Sequence, residues 1–139
     1  MTTSKNLCVP LVLFLLLCAV GCGQNARVTG KITFTNGEPL TIGRVVFSSS
    51  DGSYQVSGQI NQEGMYKLDE IKPGSGIKPG DYGVTILQAA HVEYGSGKTA
   101  VSLIHPKYES PETSALKATV EKRKSLVYNI TVEPPPLRK

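Results

Sequence analysis

From residue 27 onward the apolar positions alternate with polar ones, again and again, over short runs. In 27–34, Val28, Gly30, Ile32 and Phe34 fall on one face and Thr29, Lys31 and Thr33 on the other, the period of a half-buried strand. Further strands are predicted over 44–48 (Val45, Val46, Phe47), 53–60, 64–68, 81–89 (Tyr82, Val84, Ile86 on one face), 116–120 (Leu116, Ala118, Val120) and 126–132 (Leu126, Tyr128, Ile130, Val132). Asn36-Gly37-Glu38-Pro39, Asp51-Gly52, Asn61-Gln62-Glu63-Gly64 and the Pro/Gly-rich 72–80 separate them as turns, Asp51-Gly52 being the strongest short hairpin signal. Seven short strands with frequent turns predict an all-β fold, an antiparallel β-sandwich. No stretch past residue 25 keeps a helical period. The segment 91–114 is the longest irregular stretch and is predicted as a connection crossing between sheets. Gly30 is expected where backbones approach closely and Gly64 where a turn needs positive φ. Tyr66 and Tyr82 are expected to bury their rings and keep the hydroxyl at a partner or the rim. Pro134-Pro135-Pro136 cannot pair and ends the domain.

The N-terminus follows a different pattern. Residues 7–20 are apolar throughout, preceded by Lys5 and followed by the small residues Ala19 and Gly21. A helix over those residues is about 21 Å long, short of a ~30 Å hydrocarbon core. The charged, apolar, small-residue order predicts a secretory signal helix. Of the three cysteines, Cys8 and Cys18 lie in this leader and Cys22 ends it. The absence of any later cysteine excludes a disulfide framework or a thiolate metal site in the domain.

Ala19-Val20-Gly21-Cys22 resembles the bacterial lipobox, with Ala19 where Leu is usual. That resemblance implies transfer of a diacylglycerol, with palmitate among its chains, to the Cys22 thiol and cleavage that leaves the Cys22 amine N-terminal. The expected organisation is a lipoprotein signal peptide over 1–21, a lipid-anchored tether over 22–26, a β-sandwich over 27–133 and a Pro-rich tail over 134–139. By the same analogy Gly23, in place of a retention Asp, favours the outer membrane over the inner.

Charge adds little. The net charge is +4, and loss of Lys5 with the leader leaves fourteen basic against eleven acidic residues. Basic residues are scattered except for Lys122, Arg123 and Lys124, which read as a polar hairpin turn with weak contact to anionic lipid or polymer as the alternative. No stripe of basic and aromatic residues exists, so a nucleic-acid partner is not expected.

The ordered elements resemble a known family. Val28-Thr29-Gly30-Lys31-Ile32, Gly37-Glu38-Pro39-Leu40, Val45-Val46-Phe47, Gly64-Met65-Tyr66 and the run from Pro79 to Ile86 are similar to carboxypeptidase-regulatory-like, transthyretin-like domains. Ile104-His105-Pro106-Lys107-Tyr108 and the run from Ser110 to Leu116 resemble those of small lipoproteins carrying one such domain. The resemblance implies a seven-stranded Greek-key sandwich (prealbumin-like) without catalytic activity.

Candidate chemistry is sparse. Gly95-Ser96-Gly97-Lys98-Thr99 looks like the end of a phosphate loop, but Val92 occupies the position of its first Gly and no helix is predicted to follow. His91 and His105 lack the spacing of a zinc site, and neither has a recognisable nucleophile or orienting acid beside it. Transthyretin-like urate-pathway hydrolases end in Tyr-Arg-Gly-Ser, whereas this chain ends in Leu137-Arg138-Lys139. Related surface domains join a first-strand Lys to a last-strand Asn by an isopeptide bond. Lys31 and Asn129 match those positions, but their parity points both to solvent. No cofactor or metal is expected. The reading is a non-enzymatic, lipid-anchored extracytoplasmic module with a structural or interaction role. Its partners are the membrane, through the lipid on Cys22, and an envelope protein or polysaccharide. Contact is expected through 91–114, at Tyr94, His105 and Tyr108, because a rigid sandwich presents its loops. Alternatives are a cryptic hydrolase using His91 or His105 and a carbohydrate-binding module using Tyr54, Tyr94 or Tyr108.

Overall fold

Strand β1 (Val28–Phe34) is the spine of the first of two packed sheets. The computed structural model describes residues 24–137, so the expected signal peptide over 1–21, Cys22, Gly23 and residues 138–139 lie outside the described residues. On one side β1 pairs antiparallel with β4 (Met65–Leu68), Val28 opposite Leu68 and Lys31 opposite Met65. On its other side it pairs parallel with β9 (Leu126–Val127) and β10 (Ile130–Val132), Val28 opposite Leu126 and Ile32 opposite Ile130. The second sheet is antiparallel throughout, in the order β3 (Gln55–Gln59), β2 (Arg44–Ser49), β5 (Gly80–Leu87), β8 (Leu116–Val120). With β9 and β10 counted as one interrupted strand, these are the seven predicted strands of an all-β sandwich. The final strand runs parallel to β1 because β8 delivers the chain to the end at which β1 also starts.

The alternation places the core as expected. Val28, Ile32, Val45, Phe47, Val84 and Ile86 are fully buried between the sheets, while Phe34, predicted on the same face as Ile32, is only half-buried at the strand's end. Phe47 stacks edge-on against Tyr128, centroids 6.0 Å apart, and tilted against Tyr82 at 5.8 Å. Gly64 has φ +79°, and a Cβ there would sit 2.7 Å from the Ile32 carbonyl oxygen, so both backbone conformation and space require glycine.

The connection after β5 differs from its predicted form. It holds a hairpin of β6 (Ala90–Tyr94) and β7 (Lys98–Ser102), then a 3₁₀ turn over Pro106–Glu109. It does not cross between sheets, because β5 and β8 are neighbours in one sheet. The turn at 121–125 is the segment that crosses, carrying the chain from β8 to β9, and so is not a hairpin. The packed domain also starts earlier than residue 27. Ala26 is 2% exposed and exchanges two backbone hydrogen bonds with Ile77, at 2.9 and 2.8 Å. Asn25 donates to the Ser75 carbonyl at 3.2 Å, and the Gln24 carbonyl accepts from the Arg123 N–H at 3.4 Å.

The sandwich therefore has two distinct ends. The stem end gathers Gln24 to Arg27 with the 69–79 and 121–125 loops. The far end, separated by the roughly 23 Å length of β1, carries the Asn36-Gly37 turn, the β6–β7 arm and the Pro-rich tail.

Candidate functional site

At the far end the arm, the end of β1 and the tail enclose an apolar groove of about 540 Å³, with Phe34, His91, Val101, Leu103, Pro134 and Pro135 in its walls. The tail is held there because Glu133 closes the domain. Its carbonyl accepts from the His105 N–H at 2.9 Å, its carboxylate meets Lys107 Nζ at 2.9 Å, and its N–H donates to the Tyr108 hydroxyl at 3.3 Å. The hydrogen bond that Lys107 donates to Glu133 holds Glu133 below the usual carboxylate range and pushes Lys107 up.

The arm presents its other face to water. Val92 stands opposite Ala100 and Tyr94 opposite Lys98, and the Tyr94 ring is 78% exposed. Gly95-Ser96-Gly97 forms the tip, with the Gly95 N–H bonded to the Gly97 carbonyl at 3.1 Å. Lys98 and Thr99 begin β7, not a helix, so the ring of helix-end N–H donors that would hold a phosphate does not form here.

The predicted contact residues have different fates. Tyr94 is open to a partner. Tyr108 is not: the 3₁₀ turn points it inward, it is 5% exposed and packs in the core. The reason is the turn itself, in which Pro106 takes the first position and His105 caps it, turning the following aromatic under the strand ends. His105 is half-buried, and its Nδ1 accepts the Lys107 N–H at 3.1 Å, which commits that nitrogen to capping. His91 is exposed on β6, with Nε2 3.1 Å from Glu93 Oε1. Tyr54 is half-buried, its ring 6.1 Å from that of Tyr82 and under the Lys78 ammonium at 4.7 Å. Among the described residues no group of three His, Cys, Asp or Glu side chains could hold a metal ion.

Lys31 and Asn129 are both exposed. The Asn129 side-chain oxygen accepts the Lys31 backbone N–H at 2.9 Å, filling the ladder position that the break between β9 and β10 leaves open. The alternation does not reveal this role.

No protein-family model and no curated protein matches the sequence. Solved structures do. BcpA, the major pilin subunit of Bacillus cereus, is similar in two structures. Its D312A form matches with TM-score 0.54 and 14% identity over 78% of this chain and 30% of the pilin. The other matches with TM-score 0.50 and 13% identity over 80% of this chain and 30% of the pilin. A DUF3823 family protein from Bacteroides ovatus matches with TM-score 0.45 and 20% identity over 79% of this chain and 46% of that one. The chain thus spans less than a third of the pilin, and the likeness to it is one of fold: an immunoglobulin-like or transthyretin-like β-sandwich.

Proposed function

We propose that the chain is a non-enzymatic, lipid-anchored extracytoplasmic module whose far end meets an envelope protein or polysaccharide. The observation that carries this reading is the abutment of leader and domain. The apolar leader ends at Cys22, and Gln24 is already hydrogen-bonded to the sandwich, at Arg123. A lipid on that cysteine would be separated from the fold by at most about 7 Å of chain. Two or more acyl chains give stable membrane attachment, since each buried CH₂ contributes roughly 0.8 kcal/mol. Support for a non-enzymatic role comes from the histidines: His105 caps a turn, and His91 sits on a solvent-exposed strand.

The test is the intact mass of the full chain made in a bacterium and extracted in detergent, with palmitate labelling alongside. The expected product begins at Cys22 and carries acyl chains, and Cys22→Ser abolishes both label and membrane retention. Retention of the leader, or an unmodified Cys22, overturns the anchor. A sugar ligand is the second reading, favoured by the open ring of Tyr94. Binding to a glycan array that Tyr94→Ala abolishes would establish it.

A further inference from the structure

The stem end carries a feature that the fold does not need. The loop following β4 places Ile71 at its tip with 87% of its surface exposed, and Lys72 follows it. This loop is locked to the stem: Asn25 donates to Ser75 and Glu70, and Ala26 pairs with Ile77. Against the other side of the stem lies the 121–125 turn, whose Arg123 N–H bonds Gln24 and whose Lys122, Arg123 and Lys124 are all exposed. Arg27, Arg123 and Lys124 line one polar cleft with Asn25 and Gly74 to Gly76. Of the carboxylates at this end, Glu121 pairs with Lys124, Glu70 with Lys78 and Asp69 with Lys67, while Asp51 and Asp81 are held by serine and threonine hydroxyls at the β2–β3 and β5–β8 side of it. Among the described residues, Arg27, Lys72, Lys122 and Arg123 form no ion pair. An exposed aliphatic tip, followed by Lys72, thus shares with Arg27, Lys122 and Arg123 the end of the sandwich from which the chain leaves toward Cys22.

We propose that this end is a second membrane contact, resting on an anionic bilayer surface with Ile71 entering the interface and Lys72, Lys122 and Arg123 on the lipid headgroups. The proposal rests on the lipid-anchor reading, which brings the surface to within the length of the tether. An aliphatic side chain flanked by Lys and Arg has the chemistry of an interfacial contact, in which apolar burial and attraction to anionic lipid add. The consequence is orientation. One lipid anchor leaves a domain free to tumble about its tether, and a second contact holds the sandwich upright with the arm and groove facing away from the membrane.

The test uses the full acylated chain in vesicles of phosphatidylcholine alone or with phosphatidylglycerol. No cysteine follows Cys22, so Ile71→Cys supplies a unique thiol for an environment-sensitive fluorophore, and Ser96→Cys on the arm tip supplies the control. The expected result is quenching of the residue-71 probe by brominated acyl chains in anionic vesicles, with none at residue 96. Neutralisation to Gln at Lys72, Lys122 and Arg123 should lower the docked-to-undocked ratio by roughly fivefold per site, and high salt should weaken docking likewise. Equal behaviour of the two probes on acylated, vesicle-bound protein overturns this proposal while leaving the anchor intact. So does a probe that responds only to an added soluble polyanion. A chain that carries no acyl mass overturns the anchor and this proposal together.

Discussion

The Tyr66 hydroxyl donates a 2.6 Å hydrogen bond to the Tyr128 carbonyl, reaching from β4 over β1 to the gap between β9 and β10. Gly30 makes the reach possible. A Cβ at that position would lie 2.0 Å from the Tyr128 carbonyl oxygen and 2.7 Å from the Tyr66 ring. Burial pushes the Tyr66 hydroxyl well above its ordinary range, so the group remains a donor at any physiological pH. Tyr66→Phe keeps the ring and strands the carbonyl, at an expected cost of about 1–3 kcal/mol. Gly30→Ala forces a backbone shift and should cost about 3 kcal/mol or more. Urea unfolding measures both, and a Gly30→Ala variant as stable as the wild type would contradict the geometry.

Asn129 performs the complementary task on the same break. Its side chain stands in for a backbone carbonyl, giving the Lys31 N–H the partner that the interrupted strand withholds. The site is exposed, so water can replace it, and Asn129→Ala should cost only about 0.5–1 kcal/mol. The sharper readout is local. Hydrogen exchange at the Lys31 amide should accelerate in the variant while that at Ile32, bonded to the Gly64 carbonyl, stays slow. Unchanged exchange at Lys31 would show that the side chain does not hold this edge.

These two residues also show where the sequence was legible and where it was not. A period of two reports which face a residue takes, and Val28, Ile32, Val84 and Ile86 are buried as that period requires. It does not report which strand a segment joins or in which direction. The parallel placement of β10, the side-chain bond of Asn129 and the crossing at 121–125 all depend on contacts distant in sequence. The arm was missed for another reason. Ala90, Val92 and Tyr94 alternate with His91 and Glu93, but the arm buries no residue fully, and Gly95 to Thr99 carries a misleading likeness to a phosphate loop. Tyr108 was misplaced because its orientation is set by the Pro106 turn, not by any strand period. Of the candidate site, the exposure of Tyr94 fits its place in a loop-rich connection, but the far-end position of the arm could not be read from a segment expected to cross between sheets. Nor could the groove, because Phe34 and Pro134 come together only through the pairing of β1 with β10.

Asp51 sets an acid limit on the β2–β3 hairpin. Its carboxylate accepts from the Ser49 hydroxyl at 2.6 Å and from the Ser53 N–H and hydroxyl at 3.0 and 2.8 Å. Those bonds, the Ser49 hydroxyl foremost, lower it from 3.8 to about 2. The folded state therefore binds this proton less readily than the unfolded chain. The resulting stability is fully present above the unfolded value and is lost as pH falls from about 4 toward 2. Thermal unfolding of Asp51→Asn should differ from wild type at neutral pH, and the difference should shrink through that window. A difference that stays constant down to pH ~2 would assign the effect of the substitution to something other than the charge.

The arm should be the least protected part of the described chain. A two-stranded ribbon is at best marginally stable alone, and β6 and β7 contribute no residue to the buried core. Ile104 and Tyr108, immediately beyond, are buried and fix the base. Local opening follows the amount of apolar surface an element buries, so amides of Val92 to Ala100 should exchange far faster than those of β2 and β5. Truncating the arm across its tip, from Val92 to Ala100 with a short Gly linker, should therefore change global stability by less than about 1 kcal/mol. The same truncation should abolish binding of any partner that uses Tyr94. A truncated protein that fails to fold would mean that the arm supports the sandwich, and one that folds but still binds would place the contact elsewhere at the far end.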